Sequence, residues 1–208
     1  MTTTPTTTPT AAPTGRPADP PLSPRQAERR LRILRAAAAL AGRGGYEAVQ
    51  MREVAESAQV ALGTLYRYFP SKVHLLVAVM QEQLQLLLEQ VRRHPPTEAD
   101  PALRVAETLT RAFHALQREP LLAEAMVRAL SFADRSVSAE VDQVGGLTAQ
   151  IILDAIGQAG PPSEGQRAAV RVIEHTWHSA LVAWLSGRAS IAEVRADLRT
   201  AARLLTLP

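Results

Sequence analysis

The 208-residue sequence predicts an all-α protein. Apolar residues recur at three- and four-residue intervals in segment after segment, and no segment alternates with period two over a useful length. Proline and glycine stand where helices of ordinary length would start and stop. Aromatics make up only 4% of a chain that is 46% hydrophobic, so the core is aliphatic and alanine-rich, which suits helix packing.

Residues 1 to 21 hold eight Thr and six Pro with almost no large apolar side chain. Such a composition cannot bury enough surface to offset ordering entropy, and residues 1–22 are expected to form a disordered tail. Ser23 caps a first helix that starts at Pro24, carries Leu31, Leu34, Ala38 and Ala41 on one stripe, and ends at Gly42. A short second helix over about 50–57 puts Met51, Val54, Ala55 and Ala58 on one face. A third begins near Ala61 and stops at Pro70, with Leu65 and Phe69 one turn apart on its inner side. Ser71 caps a long fourth helix with the stripe Val73, Leu76, Met80, Leu84, Leu87 and Val91, closed by His94-Pro95-Pro96. Asp100-Pro101 and Glu119-Pro120 start the fifth and sixth, which run to about 118 and 133. A seventh spans roughly 137–158, where Gly145-Gly146 costs about 1 kcal/mol per glycine against alanine and is a candidate break. The last two, about 164–187 and 190–206, open on capping boxes, Ser163 with Gln166 and Ser190 with Glu193. Their stripes are Val170, Ile173, Trp177, Leu181, Trp184 and Ile191, Val194, Leu198, Ala201, Leu205.

The net charge is only +3, but it is unevenly placed. Residues 22–72 carry eight Arg and one Lys against four Glu, whereas residues 73–208 carry thirteen Arg against fifteen acids. A basic block joined to a slightly acidic one suggests a polyanion-binding module followed by a unit of another kind. With no cysteine, disulfides, thiolate zinc sites and a catalytic cysteine are excluded together. No apolar run approaches the ~18–20 residues of a membrane span. The Thr/Pro start also lacks the basic and apolar stretches of a secretory signal. The expectation is a cytoplasmic protein with no membrane partner.

The informative stretch is Met51 to Lys72, MREVAESAQVALGTLYRYFPSK. Two short helices about three residues apart, with Ala55 and Leu65 where they cross, fit a helix-turn-helix over about 50–69. Small Ala55 lets the helices approach, and Val60 fills the space under the turn. The second helix of such a motif enters the major groove, where base edges carry a distinguishable donor and acceptor code. With Leu65 and Phe69 inward, Leu62, Gly63, Tyr66 and Arg67 point outward, flanked by Thr64 and Tyr68 within reach of phosphates. Gly63 removes a side chain where the backbone must come near DNA. Lys72, the only lysine in the chain, sits in the first turn of the fourth helix, where helix dipole and ammonium act together on a phosphate. The plainer alternative is that Tyr66 and Tyr68 are core tyrosines and Arg67 a solvated charge.

The run GTLYRYFPSK after AESAQVA resembles the N-terminal domain of TetR-family repressors, over about residues 26–86. The resemblance implies a DNA-binding unit at 23–72, a ligand-binding and dimerisation unit at 73–208, and a homodimer on double-stranded operator DNA. It maps DNA contacts onto Gln50, Arg52, Leu62, Gly63, Thr64, Tyr66, Tyr68 and Lys72, to which the outward-facing Arg67 is added. Two residues depart from the family pattern. Gln59 stands in the turn where glycine is usual, and His74 replaces the acid of the capping box. A narrower resemblance, carried by GGYEAVQMREVAE, LLAEAMVRALSFAD, EVDQV and AWLSGRAS, is to actinobacterial members that repress cholesterol catabolism. It implies a small hydrophobic effector, a steroid or acyl coenzyme A thioester, that releases the protein from DNA.

In the C-terminal unit, helices five to eight carry more apolar side chains than a stripe facing one neighbour needs. Phe113, Met126, Leu130, Phe132, Ile151 and Trp177 are therefore candidate pocket residues, each equally able to fill the core. The two amphipathic helices at the end of the chain make Leu181, Trp184, Leu198 and Leu205 candidate dimer-interface residues. His175 and His178 beside Glu174 have a metal-compatible spacing, but one cluster on one helix without further ligands is weak, and no metal or cofactor is expected. No phosphate-cradling glycine loop, nucleophile elbow or paired-carboxylate motif is present, so no enzyme is expected. Two other readings stay open: a DNA-binding activator, and a helical ligand-binding protein whose N-terminal domain is a relic.

Overall fold

Nine α-helices make up the architecture of the described residues, which in this computed structural model are 23–157 and 160–206. The Thr/Pro-rich segment expected to be a tail lies outside them. Helix α1 (Pro24–Ala48) opens on a capping box between Ser23 and Gln26. Gly44 and Gly45 leave helical geometry, so the straight helix ends close to the glycine cluster and one further turn follows a bend. Gly45 has φ +66°, a conformation that favours glycine, and a Cβ there would lie 2.9 Å from the movable end of the Glu124 side chain. The buried face of α1 is Ile33, Leu34, Ala36, Ala37, Leu40 and Ala41. It is broader than the expected stripe, because α1 packs on α2, α4 and α6 rather than on one neighbour.

Helices α2 (Met51–Ser57) and α3 (Leu62–Tyr68) meet across buried Val54, Ala55 and Leu65. Val60 N–H donates to the Ala55 carbonyl at 2.9 Å and closes the turn. Gln59 takes φ +54°, the left-handed position where glycine costs least. Helix α4 (Lys72–Arg93) is capped by Ser71, whose Oγ accepts from the His74 N–H. His74 takes over the missing acid's place differently: its Nδ1 sits 2.9 Å from Ser71 Oγ and its Nε2 lies 3.2 Å from the Ser136 carbonyl. That second contact ties the start of α4 to the loop before α7.

Helices α5 (Pro101–Arg118), α6 (Pro120–Ser131), α7 (Ser138–Ile156), α8 (Glu164–Leu185) and α9 (Ile191–Ala202) complete the chain, with a 3-10 turn at Arg203–Thr206. Helix α7 passes through Gly145 and Gly146 without a break. In α9, Ile191 is exposed, so the expected stripe begins at Val194. One hydrophobic cluster joins α1–α4 to α6 and the start of α7; a second gathers α5, α7, α8 and α9. Helix α6 belongs to both, giving Met126 to the first and Val127 to the second. With α4, it joins the helix-turn-helix to the helices that follow.

Candidate nucleic-acid interface and effector cavity

The short helix α3 settles which way its residues face. Leu65 is wholly buried and Phe69 nearly so, while Gly63, Tyr66 and Arg67 are exposed, Tyr66 at 46%. Gln50 and Arg52 are exposed at the start of α2. Leu62, Thr64, Tyr68 and Lys72 are half-buried. Tyr68 is neither a core tyrosine nor free, since its hydroxyl donates to the Gln26 carbonyl at 3.4 Å. Nothing lies within 4 Å of a Cβ placed on Gly63, so the backbone of α3 is open there to a partner.

Lys72 is held from behind. Its Nζ donates to the Tyr46 carbonyl at 3.1 Å, lies 4.1 Å from the Tyr46 ring centre and 3.9 Å from Glu47 Oε2. The other Glu47 oxygen is 2.8 Å from Arg128 Nη2 on α6. Arg128 also lies over the Tyr46 and Phe132 rings, at 4.9 and 5.4 Å, and those rings meet edge to face at 5.5 Å. Tyr46 N–H donates to Glu124 Oε2 at 3.2 Å. Glu47 is 69% exposed, so its ion pairs contribute only ~0–1 kcal/mol to stability. Their effect is geometric: they tie Lys72 to α6. Nothing in the sequence pattern pointed to this cluster, because its members are far apart in the chain.

A cavity of about 900 Å³ lies among α4, α5, α6, α7 and α8. Of the six pocket candidates, Met126, Leu130 and Trp177 line it. Phe113 is wholly buried and meets Trp184 edge to face at 5.1 Å. Ile151 packs in a small separate cluster with Leu88 and Val91. Phe132 is 53% exposed and belongs to the Arg128 cluster instead. These three were misplaced because an apolar side chain on a helix suits core, cavity and surface junction alike. The cavity explains why Met80, Leu84 and Leu87 of α4 are only half-buried despite sitting on the expected stripe.

Gly145, Gly146 and Glu174 also line the cavity. Glu174 Oε1 is buried with no hydrogen-bond partner among the described residues. Burial pushes the carboxyl above the ordinary glutamate range, against the opposing pulls of His175, the Ala149 backbone and Arg171. The other ionisable lining groups are Glu119, Asp142, His175 and His178, with no Arg or Lys among the lining residues described. Among the described residues, no three His, Asp or Glu side chains come together as a metal would need.

The candidate dimer residues need correction. Leu198 is wholly buried and Leu181 nearly so, both packed inside their own subunit, so neither is available to a partner. Trp184 and Leu205 are half-buried against the same cluster. Periodicity marked the inner stripe of each helix correctly but could not say that the inner stripe was already used. The outer face of α8 instead presents Val172, 45% exposed, and Ser179 two turns on, with His175 between them at the edge of the cavity.

Residues 33–79 match bacterial regulatory proteins of the tetR family, and residues 98–205, more than half the chain, match the tetracyclin repressor-like C-terminal domain. The chain belongs to the TetR family. It is 50% identical over 180 residues to the HTH-type transcriptional repressor KstR of Rhodococcus jostii (strain RHA1), covering 86% of this chain and 84% of that one. A TetR transcriptional regulator from Rhodococcus sp. RHA1 has the same fold with a TM-score of 0.77 at 38% identity, covering 88% of this chain and 98% of that one. Thermus thermophilus FadR, a TetR-family repressor solved with lauroyl-CoA, shares the fold at a TM-score of 0.66 and 24% identity, over 85% and 93%. TetR-family proteins bind operator DNA and act as dimers. This one is a transcriptional regulator, not an enzyme. No helix among its described residues is long and apolar enough to cross a membrane.

Proposed function

We infer that the protein is a cytoplasmic repressor that binds a near-palindromic operator as a homodimer. An apolar, elongated steroid or acyl coenzyme A thioester releases it, and the genes it controls serve sterol or related lipid catabolism. The observation that carries this reading is the cavity: about 900 Å³, largely apolar, lined by five helices and open on one side, in a chain half identical to a transcriptional repressor. Without Arg or Lys in the lining, a free carboxylate in the apolar part of the cavity would lack a fixed countercharge. A thioester carries no charge at that carbon, and its phosphates would stay outside. Thermus thermophilus FadR, of the same fold, was solved in complex with lauroyl-CoA, which supports the reading.

Residues 23–72 would read DNA, with Tyr66 and Arg67 toward base edges and Lys72 on a phosphate. Residues 73–208 would hold the ligand and the dimer contact, through the outer faces of α8 and α9. Two elements reach from cavity to DNA surface. Helix α4 begins at Lys72 and lines the cavity with Leu84 and Leu87; α6 lines it with Met126 and Leu130 and grips the Lys72 cluster through Arg128. Release requires that the ligand bind the DNA-incompetent arrangement more tightly than the competent one. A mobility-shift titration of the operator complex with steroid and straight-chain coenzyme A thioesters, and with their free acids, tests this. Release by the thioesters at concentrations that leave the free acids inert is expected; release by none of them would remove the effector class and leave DNA binding standing.

A further inference from the structure

Helix α4 is held to its neighbours in two different ways. It packs on α6 through apolar side chains, and among the described residues no side-chain hydrogen bond or ion pair joins it to α5, α6 or α8. Toward α7, polar ties run almost its whole length. His74 Nε2 lies 3.2 Å from the carbonyl of Ser136, in the single turn that leads into α7. Gln81 Nε2 donates to the Glu140 carbonyl at 2.8 Å and to Gln143 Oε1 at 3.1 Å. Arg92 Nε donates to Asp154 Oδ2 at 2.6 Å.

These ties share one register. His74 and Ser136, Gln81 and Gln143, and Arg92 and Asp154 are each 62 residues apart in the chain. A constant offset means that α4 and α7 run parallel, side by side, for about 27 Å between the first tie and the last. Gln81 and Arg92 follow His74 by close to two and five full turns, so all three stand on one face of α4. Between the later ties, Leu88 and Val91 pack with Ile151 in a cluster of their own. Apolar contact is non-directional and tolerates sliding, whereas a directed hydrogen bond does not. Shearing α4 along α7 by one turn, about 5.4 Å, would break every polar tie at once. Both helices also line the cavity, so whatever fills it presses on the two together.

We propose that α4 and α7 move as one body, and that His74, Gln81 and Arg92 are positioning residues that carry a displacement of α7 to Lys72. This rests on the ligand-driven release inferred above and adds α7 to α4 and α6 as a moving part.

The chain has no cysteine, so Gln85→Cys with Leu147→Cys, at the same offset, allows a short bismaleimide cross-link across the seam. The cross-linked full-length protein should bind operator within about twofold of the uncross-linked variant, and a steroid coenzyme A thioester should release both at the same concentration, since parts that move together lose nothing when joined. A locked protein that binds operator about tenfold more weakly, or that the thioester no longer releases, would overturn the proposal. Arg92 and Asp154 lie outside the cavity lining and the helix-turn-helix, so their effect on release must travel along the seam. Arg92→Asp should leave thioester binding unchanged, read by quenching of Trp177 in the cavity wall, yet raise the concentration that releases operator about fivefold. Adding Asp154→Arg should restore the wild-type ratio of release to binding. A merely structural role would lower the thermal midpoint and leave that ratio alone, and an unchanged ratio in Arg92→Asp would count against the seam. If no thioester releases wild type, the effector class falls by itself, and the operator affinity of the cross-linked protein decides for or against the single body.

Discussion

Helices α3 and α8 answer differently to the same kind of sequence pattern. Helix α3 has seven residues and one set of neighbours, so once Leu65 and Phe69 are inward, Gly63, Tyr66 and Arg67 face out and Leu62, Thr64 and Tyr68 lie along the boundary. Helix α8 has 22 residues and passes the core, the cavity and a free surface within its length. Its apolar positions therefore have three destinations. Val170 and Ile173 fill the core, Trp177 and Leu181 reach the cavity, and Val172 stays outside. Periodicity fixes the face of a helix, and only the neighbours decide what that face meets.

The largest effect that could break this contrast comes from charge placed on the two faces of the C-terminal pair. Leu198 is wholly buried, so Leu198→Arg strands a cation in the core and should cost several kcal/mol, lowering the thermal midpoint by about 10 °C or more. Val172→Arg, on the exposed face of α8, should leave helicity and midpoint near wild type while shifting the protein toward monomer on size-exclusion chromatography. A folded, dimeric Val172→Arg protein would argue that the partner sits elsewhere.

Substitutions in the helix-turn-helix come next in size and sharpen the other side of the comparison. Tyr66→Phe and Arg67→Ala should each weaken operator binding, by ~1–3 kcal/mol for a lost base contact, and Tyr66→Phe should also relax base preference. Lys72→Ala should weaken every DNA sequence alike and lower the magnitude of the salt slope by about one. Binding titrations at several salt concentrations separate the two behaviours. Unchanged affinity in both the Tyr66 and Lys72 variants would remove α3 from the groove.

Much of the N-terminal half was legible because its signals are local. The cap at Ser23, the tight turn at Gln59 and the Leu65/Phe69 pair all lie within a few residues of what they control. The Lys72 cluster was not legible, since Tyr46, Lys72 and Arg128 meet only after α6 folds back against α1. The cavity was half legible. Its apolar excess showed in composition, but Phe113 and Ile151 are indistinguishable from Met126 until the helices are placed. Gly145-Gly146 read as a possible helix break because propensity weighs against it, and the helix survives because its neighbours on both sides continue it.

The Arg128 cluster gives a smaller effect that joins the two halves. Arg128→Ala removes the contact between α6 and Glu47 without touching the cavity or the outer face of α3. Operator affinity in the absence of ligand should change by less than about threefold. The ligand concentration needed for release should rise several-fold, as expected when part of a 1–3 kcal/mol coupling is lost. Release at the wild-type concentration would place the coupling in α4 alone.

The smallest expected effect is a pH dependence of stability traced to Glu174. Burial raises its folded carboxyl above the ordinary glutamate value of 4.5, with His175 and Arg171 on its own helix and the Ala149 backbone pulling the other way. The remaining titratable groups around the cavity are Glu119, Asp142 and His178. An acid whose folded pKa is raised binds more protons in the native state than in the unfolded chain, so stability must fall as pH rises across that interval. Its contribution is complete below 4.5 and is lost as pH climbs through the raised folded value. Glu174→Gln cannot titrate, so its thermal midpoint should fall less than that of wild type over the same rise, measured without ligand. Parallel curves for the two proteins would mean that Glu174 is solvated well enough to ionise normally.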